Sequence, residues 1–170
     1  HADLMEAIRA RGGGTAGLKP VVKAEKEKRE SQWRAIRKLR SMVLKALEQL
    51  RQKETVKHSL EAKVVVAMNT SFEQANTIKE MLNSIEAQGH SKKAFLKEYC
   101  IVSDFDILEY EDTDDMSEYE EYEESCASDV GLLVKAEHAH GTKCPRCWQW
   151  QMSNDTHGLC GRCHAIVNVQ

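Results

Sequence analysis

At 170 residues, the chain has room for one ordinary domain or two small ones. Its composition is 41% hydrophobic and 30% charged but only 6% aromatic, which excludes a large aromatic interior, and no apolar run approaches the ~18 residues of a membrane helix. The net charge of −3 hides an asymmetry: Glu109 to Glu124 carries ten acids and no base, which leaves 17 acids against 24 bases in the rest of the chain, a basic body suited to a polyanion.

No basic-then-apolar signal opens the chain, which gives secretion no support, and the start at His1 rather than Met leads us to expect a processed product or, in preference, a piece cut from something longer. Residues 1–30 read as linker or fragment edge. Gly12-Gly13-Gly14, Gly17 and Pro20 interrupt any helix, and Lys23 to Glu30 is a mixed-charge run without an apolar face. Trp33 to Arg51 predicts an amphipathic helix, with Ile36, Leu39, Val43, Leu47 and Leu50 on one stripe. Arg34, Lys38, Lys45 and Gln52 lie opposite, and Arg40 falls at the edge of the stripe. One such helix cannot bury its stripe alone and must pack on other helices or on a sheet, with its partners expected to lie outside this piece.

Lys63 to Met68 is short, β-branched and predicts a strand. Ser71-x-x-Gln74 resembles a capping box opening a helix to about Gln88, with Ala75, Ile78, Leu82 and Ile85 facing inward and Gly89 ending it. Ser91 to Glu98 predicts a further short helix. Tyr99 to Leu108 has strand character around Ile101-Val102, and Gly131 to Lys135 reads as a returning strand. Together these elements make a small α+β unit. The acidic block between them cannot bury enough surface to fold and is expected to be a disordered insertion.

Near the C-terminus, Cys144, Cys147, Cys160 and Cys163 form CxxC, twelve residues, then CxxC. Two intervening residues let both thiolates of a knuckle reach one ion, and a second knuckle on the return arm of a hairpin completes a tetrahedron, which suits zinc. Such a pattern points to metal ligation in a reducing compartment rather than to disulfides. Four thiolates leave no open position for a catalytic water, so the zinc is structural. Cys100 and Cys126 have no partner at ligand spacing and read as plain thiols. His138, His140, His157 and His164 surround the knuckles, His157 being the best placed of them to substitute as a ligand.

Trp148 and Trp150 follow the first knuckle and have two roles open to them. They cover the metal centre, or they stack on unpaired bases beside Lys143, Arg146 and Arg162. Trp148 is the better candidate for packing and Trp150 for stacking. The helix bases Arg34, Arg37, Lys38, Arg40 and Lys45 are a solvated face or a row of phosphate contacts.

Trp33, Leu39-Arg40, Val43, Lys45-Ala46-Leu47-Glu48 and Ser59-Leu60-Glu61-Ala62-Lys63-Val64 resemble the C-terminal part of isoleucyl-tRNA synthetases. Ile101-Val102-Ser103 is similar to a later strand of the same region. Lys143-Cys144-Pro145-Arg146-Cys147-Trp148 with Leu159-Cys160-Gly161-Arg162-Cys163 is similar to the zinc finger that closes bacterial-type and organellar members.

The resemblance implies an α+β fold with the end of an anticodon-binding helical bundle at 31–56 and a small α+β module at 57–108. The acidic insertion at 109–128, a return strand and connector at 129–142, and a zinc finger at 143–170 would follow. It implies a parent enzyme of class I that activates isoleucine with ATP and transfers it to tRNA(Ile). No HIGH-type or KMSKS-type motif, Rossmann glycine loop or editing domain is found, so no residue here is assigned a catalytic role and ATP is not expected to bind this piece.

The implied partners are tRNA(Ile), through Arg34, Lys38, Arg40, Lys45, Lys143, Arg146, Trp150 and Arg162, and the catalytic and editing portions of the parent. The protein is expected to be monomeric, off the membrane, and cytoplasmic or organellar. A free-standing zinc-ribbon adaptor is the alternative; a DNA-glycosylase tail, which carries a related finger, is disfavoured by the upstream residues.

Overall fold

A computed structural model describes residues 23–111 and 130–167 of the chain. The chain divides into a unit of residues 1–31 and a unit of residues 32–170. In order, the elements are helix α1 (Lys23–Gln52), a 3-10 turn (Ser59–Glu61), β1 (Ala62–Asn69), α2 (Glu73–Ala87) and α3 (Lys92–Cys100). After them come β2 (Asp104–Tyr110), β3 (Leu132–His138), the short pair β4 (Thr142–Lys143) and β5 (Trp150–Gln151), and α4 (Gly161–Val167). The architecture is α+β.

The larger sheet has the order β2-β1-β3. β1 pairs parallel with β2, Lys63 opposite Asp104, and antiparallel with β3, Val66 opposite Val134. A parallel pair needs a long crossover, and α2 and α3 supply it. Because β1 is central, it is buried almost throughout, which accounts for its run of valines where a two-sided edge would alternate.

Against this sheet the amphipathic stripe of α1 finds its partners within the chain. Ile36, Leu39, Val43 and Leu47 are fully buried in the same core as Val64, Val66, Met68, Ile78, Leu82, Leu96, Phe105 and Val134. The expectation that these partners lie elsewhere is therefore wrong. The sheet module itself takes the stripe, and each such side chain contributes about 1.5–3 kcal/mol on burial.

Local differences from the sequence reading have physical causes. The mixed-charge run Lys23 to Glu30 is helical, with Lys23–Glu27 and Lys26–Glu30 at the i,i+4 spacing that supports an exposed helix. Ser71 does not cap α2: the N-cap is Phe72, and Ser71 N–H instead donates to Asn69 Oδ1 in the turn leaving β1. Ser91 does cap α3, its hydroxyl accepting from Ala94 N–H. Ile101 and Val102 are not in a strand. Ile101 ends α3 in the left-handed conformation, φ 59°, and β2 starts only at Asp104. Of the acidic block, only Glu109–Glu111 falls within the described residues.

No helix among the described residues is long and apolar enough to cross a membrane.

Candidate metal centre

The strand β3 hands the chain to the knuckles. Ala139 N–H donates to Glu61 O at 2.7 Å, and Gly141 then turns into β4 with φ 97°. A Cβ on Gly141 would lie 2.1 Å from Gln151 O, so the turn admits no side chain. β4 and β5 pair antiparallel, Thr142 opposite Gln151 and Lys143 opposite Trp150, and their connection is the first knuckle. Trp148 N–H donates to Cys144 O at 2.9 Å, and Cys144 N–H to Gln149 O at 2.9 Å. Those two bonds fold Cys144 and Cys147 toward one point.

On the return arm, Asp155 Oδ1 accepts from His157 N–H at 2.8 Å and Leu159 N–H at 2.7 Å. That turn delivers Cys160 to the start of α4, whose first residues carry Cys163. The four sulfurs lie within 4.8 Å of one another, and Cys147 Sγ and Cys160 Sγ are 3.6 Å apart. A tetrahedron of Zn–S bonds of about 2.3 Å has edges of roughly 3.8 Å, whereas a disulfide needs ~2.05 Å. The spacing fits one shared ion and no cross-link. Cys144, Cys160 and Cys163 are buried and Cys147 is partly exposed.

Charge follows the geometry. Burial works against a Cys144 thiolate, but N–H groups of Cys147, Cys160 and Arg146 outweigh it and hold this thiol at about 6. Burial and the three facing thiols push Cys163 up to about 12. Four thiolates cannot share this space without a cation, and a divalent one would supply the missing charge. Zinc held by Cys144, Cys147, Cys160 and Cys163 would lock the two knuckles together; with every position filled by sulfur, it offers no site for hydrolysis.

None of the four nearby histidines joins the sulfur cluster among the described residues. His157 is exposed on the turn; His164 Nδ1 pairs with Asp155 Oδ2 at 2.5 Å; His140 is exposed; His138 meets the Trp150 ring edge-on, centroids 4.7 Å apart. Cys100 is buried at the end of α3, where desolvation raises its thiol to about 11, the behaviour of an inert core thiol. Cys126 lies outside the described residues.

The tryptophans exchange their expected places. Trp150 is half-buried against His138, and its backbone N–H donates to Ser103 Oγ at 2.7 Å. Trp148 is 55% exposed, at φ 64°, with Lys143 Nζ 5.5 Å from its ring centroid. The left-handed backbone at Trp148 turns its ring out of the hairpin, while strand pairing turns Trp150 onto the sheet module.

Of the bases, Lys143, Arg146 and Arg162 are exposed around the knuckles. Lys143 sits 3.9 Å from Glu61, and Arg146 Nη1 donates to Cys163 O at 3.3 Å. On α1, Arg34, Lys38 and Lys45 are exposed. Arg40 is not free in the same way: Nε donates to Tyr99 O at 3.0 Å and the guanidinium lies over the Tyr99 ring.

No family model matches the chain. Curated relatives do. The chain is 32% identical over 156 residues to the isoleucine–tRNA ligase of Staphylococcus carnosus strain TM300, a stretch that covers 89% of this chain and 14% of that protein. It is 31% identical over 144 residues to the isoleucine–tRNA ligase of Haemophilus ducreyi, covering 82% of the chain and 13% of the relative. Against the enzyme of that name from Staphylococcus aureus strain JH9 it is 33% identical over 140 residues, covering 79% and 13%. The chain thus spans about one seventh of the length of the relatives it matches.

Proposed function

From this kinship with isoleucine–tRNA ligases, we propose that the chain is the tRNA-binding C-terminal region of such a ligase, whose remaining parts activate isoleucine with ATP and join it to tRNA(Ile). One observation carries the reading. The similarity covers 89% of the chain, too much to omit either the sheet module or the knuckles, and a four-thiol cluster stands where the resemblance demands a zinc finger. A free-standing adaptor would have no reason to match a ligase across both parts.

In this reading zinc stiffens the hairpin into a platform, and Lys143, Arg146 and Arg162 meet phosphates. Trp148, not Trp150, presents the open indole to a base. Arg34, Lys38 and Lys45 extend the basic surface along α1, and Arg40 serves α1–α3 packing instead. The chain carries no catalytic group of its own; it grips tRNA for a site elsewhere in the parent.

The test is binding of the zinc-loaded chain to isoleucine tRNA, against a non-cognate tRNA and a chelated sample. Cognate preference lost on chelation supports recognition through the zinc hairpin. Equal, salt-sensitive binding to both tRNAs supports an electrostatic grip with identity read elsewhere. Absence of binding to either tRNA overturns the proposal.

A further inference from the structure

Trp33 stands outside the hydrophobic core and is 43% exposed, so burial does not explain a residue of its size there. Its ring leans on Tyr99 of α3, with centroids 6.3 Å apart and planes at 55°. Tyr99 stacks on Phe95 at 5.7 Å and 10°. Arg40 fixes Tyr99 from α1, its guanidinium 5.4 Å from the ring centroid and its Nε bonded to the Tyr99 carbonyl. The result is a rigid aromatic wall shared by two helices, with Trp33 as its open end.

Cations follow that open end along α1. Arg37 follows Trp33 by one helical turn on the same flank of α1, and Arg34 and Lys38 continue onto the exposed side. None of the three makes an ion pair among the described residues. An apolar protein partner covering this flank would bury unpaired charge at a cost of several kcal/mol per ion. A polyanion with flat, unpaired rings satisfies both features, the phosphates neutralising the arginines and a base lying on the indole.

We propose that Trp33, backed by Tyr99 and Phe95 and flanked by Arg34 and Arg37, is a stacking platform for an unpaired base of single-stranded RNA. The proposal rests on the tRNA-binding reading and adds to it a second contact, built from α1 and α3 without any residue of the zinc hairpin. It also explains why the pair Arg40–Tyr99 is present: the arginine stiffens the wall rather than meeting phosphate.

The zinc-loaded chain with Trp148→Phe and Trp150→Phe retains Trp33 as its sole indole. Titrated with an unstructured RNA heptamer of mixed A and U, its emission is expected to change saturably as a base stacks. In the otherwise native chain, Trp33→Leu is expected to weaken heptamer binding roughly 5- to 150-fold, the range for losing one stacked base, and Trp33→Phe to recover part of it. A blunt RNA duplex, whose bases are already stacked, should bind native and Trp33→Leu chains alike. Emission is read on the intact indole, so a folding defect in Trp33→Leu does not leave the question open. Heptamer binding with unchanged Trp33 emission overturns the platform and leaves the tRNA reading standing. Failure to bind heptamer, duplex and isoleucine tRNA overturns both.

Discussion

Cys160 and Gly141 show how narrowly single residues are constrained around the four-cysteine cluster. Cys160 is buried, faces Cys147 Sγ at 3.6 Å and donates its N–H toward Cys144 Sγ. Cys160→Ser is therefore expected to lose zinc and, with it, the ordered hairpin, because the metal supplies the folding energy of so small a module. Metal content by atomic absorption with near-UV circular dichroism checks this; full zinc and a native spectrum would remove Cys160 from the ligand set. Gly141→Ala should destabilise the hairpin by about 1–3 kcal/mol, since its Cβ collides with Gln151 O and its φ is positive. Thermal melts of the zinc form read that loss. Arg162 gives the cleanest test of phosphate contact, being exposed and lacking the bond that ties Arg146 to Cys163. Arg162→Ala is expected to weaken tRNA binding at all sequences and lower the salt slope by about one; an unchanged slope argues against its role.

At the scale of elements, α1 matters most because it belongs to the core of the sheet module. Leu39→Ala should cost about 2–5 kcal/mol, since Leu39 is 1% exposed in a core shared with β1, α2 and α3. Urea titration of the whole chain measures it; a loss under 1 kcal/mol would mean that α1 is not docked on the sheet. By contrast, the ion pairs of its first turns, Lys23–Glu27 and Lys26–Glu30, are highly exposed and support local helix only weakly. The amphipathic stripe of α1 was readable from spacing alone. Its partner was not, because periodicity tells which face is apolar and nothing about the surface that covers it. The ends of α2 and α3 were misread for a related reason: Asn69 takes the Ser71 N–H, and Ile101 adopts a left-handed cap that its β-branched side chain does not advertise.

Over the whole molecule, the four-cysteine hairpin is joined to the sheet module chiefly through a buried serine. Ser103 is 1% exposed; its hydroxyl donates to Leu60 O and accepts from the Trp150 backbone N–H. Lys143–Glu61 and Ala139 N–H to Glu61 O reinforce the joint. Ser103→Ala strands both partners and is expected to cost about 1–3 kcal/mol, with Trp150 emission shifting toward that of an exposed indole. The flank of the sheet carries a second network, Asp106 with Lys93 at 2.6 Å and Lys63 at 3.0 Å, and Lys63 with Glu137 at 3.8 Å. The Lys93 hydrogen bond and then the Lys63 bond hold the Asp106 carboxyl below its ordinary range, against burial. A carboxyl lowered on folding adds stability above its unfolded pKa of about 4 and loses it as pH falls through the folded value. Lys63 and Lys93 are raised chiefly by bonding to Asp106, so their share is present below the ordinary lysine range and lost as pH climbs beyond it. A melting temperature flat near neutrality that falls below about pH 4 is expected, with the acid slope reduced in Asp106→Asn.

The sequence by itself determined the four-cysteine cluster and most of the elements. Ligand spacing is local, so two CxxC knuckles are legible without a fold, and a valine run or an amphipathic stripe states its own burial. It did not determine which tryptophan faces outward, where Arg40 goes, or what covers α1. Those depend on atoms brought together from distant positions: Trp150 turned inward by Ser103 and His138, Arg40 drawn to Tyr99, the α1 stripe closed by the sheet. Burial and hydrogen bonding are properties of the neighbours a residue acquires, and only the tertiary structure supplies the neighbours.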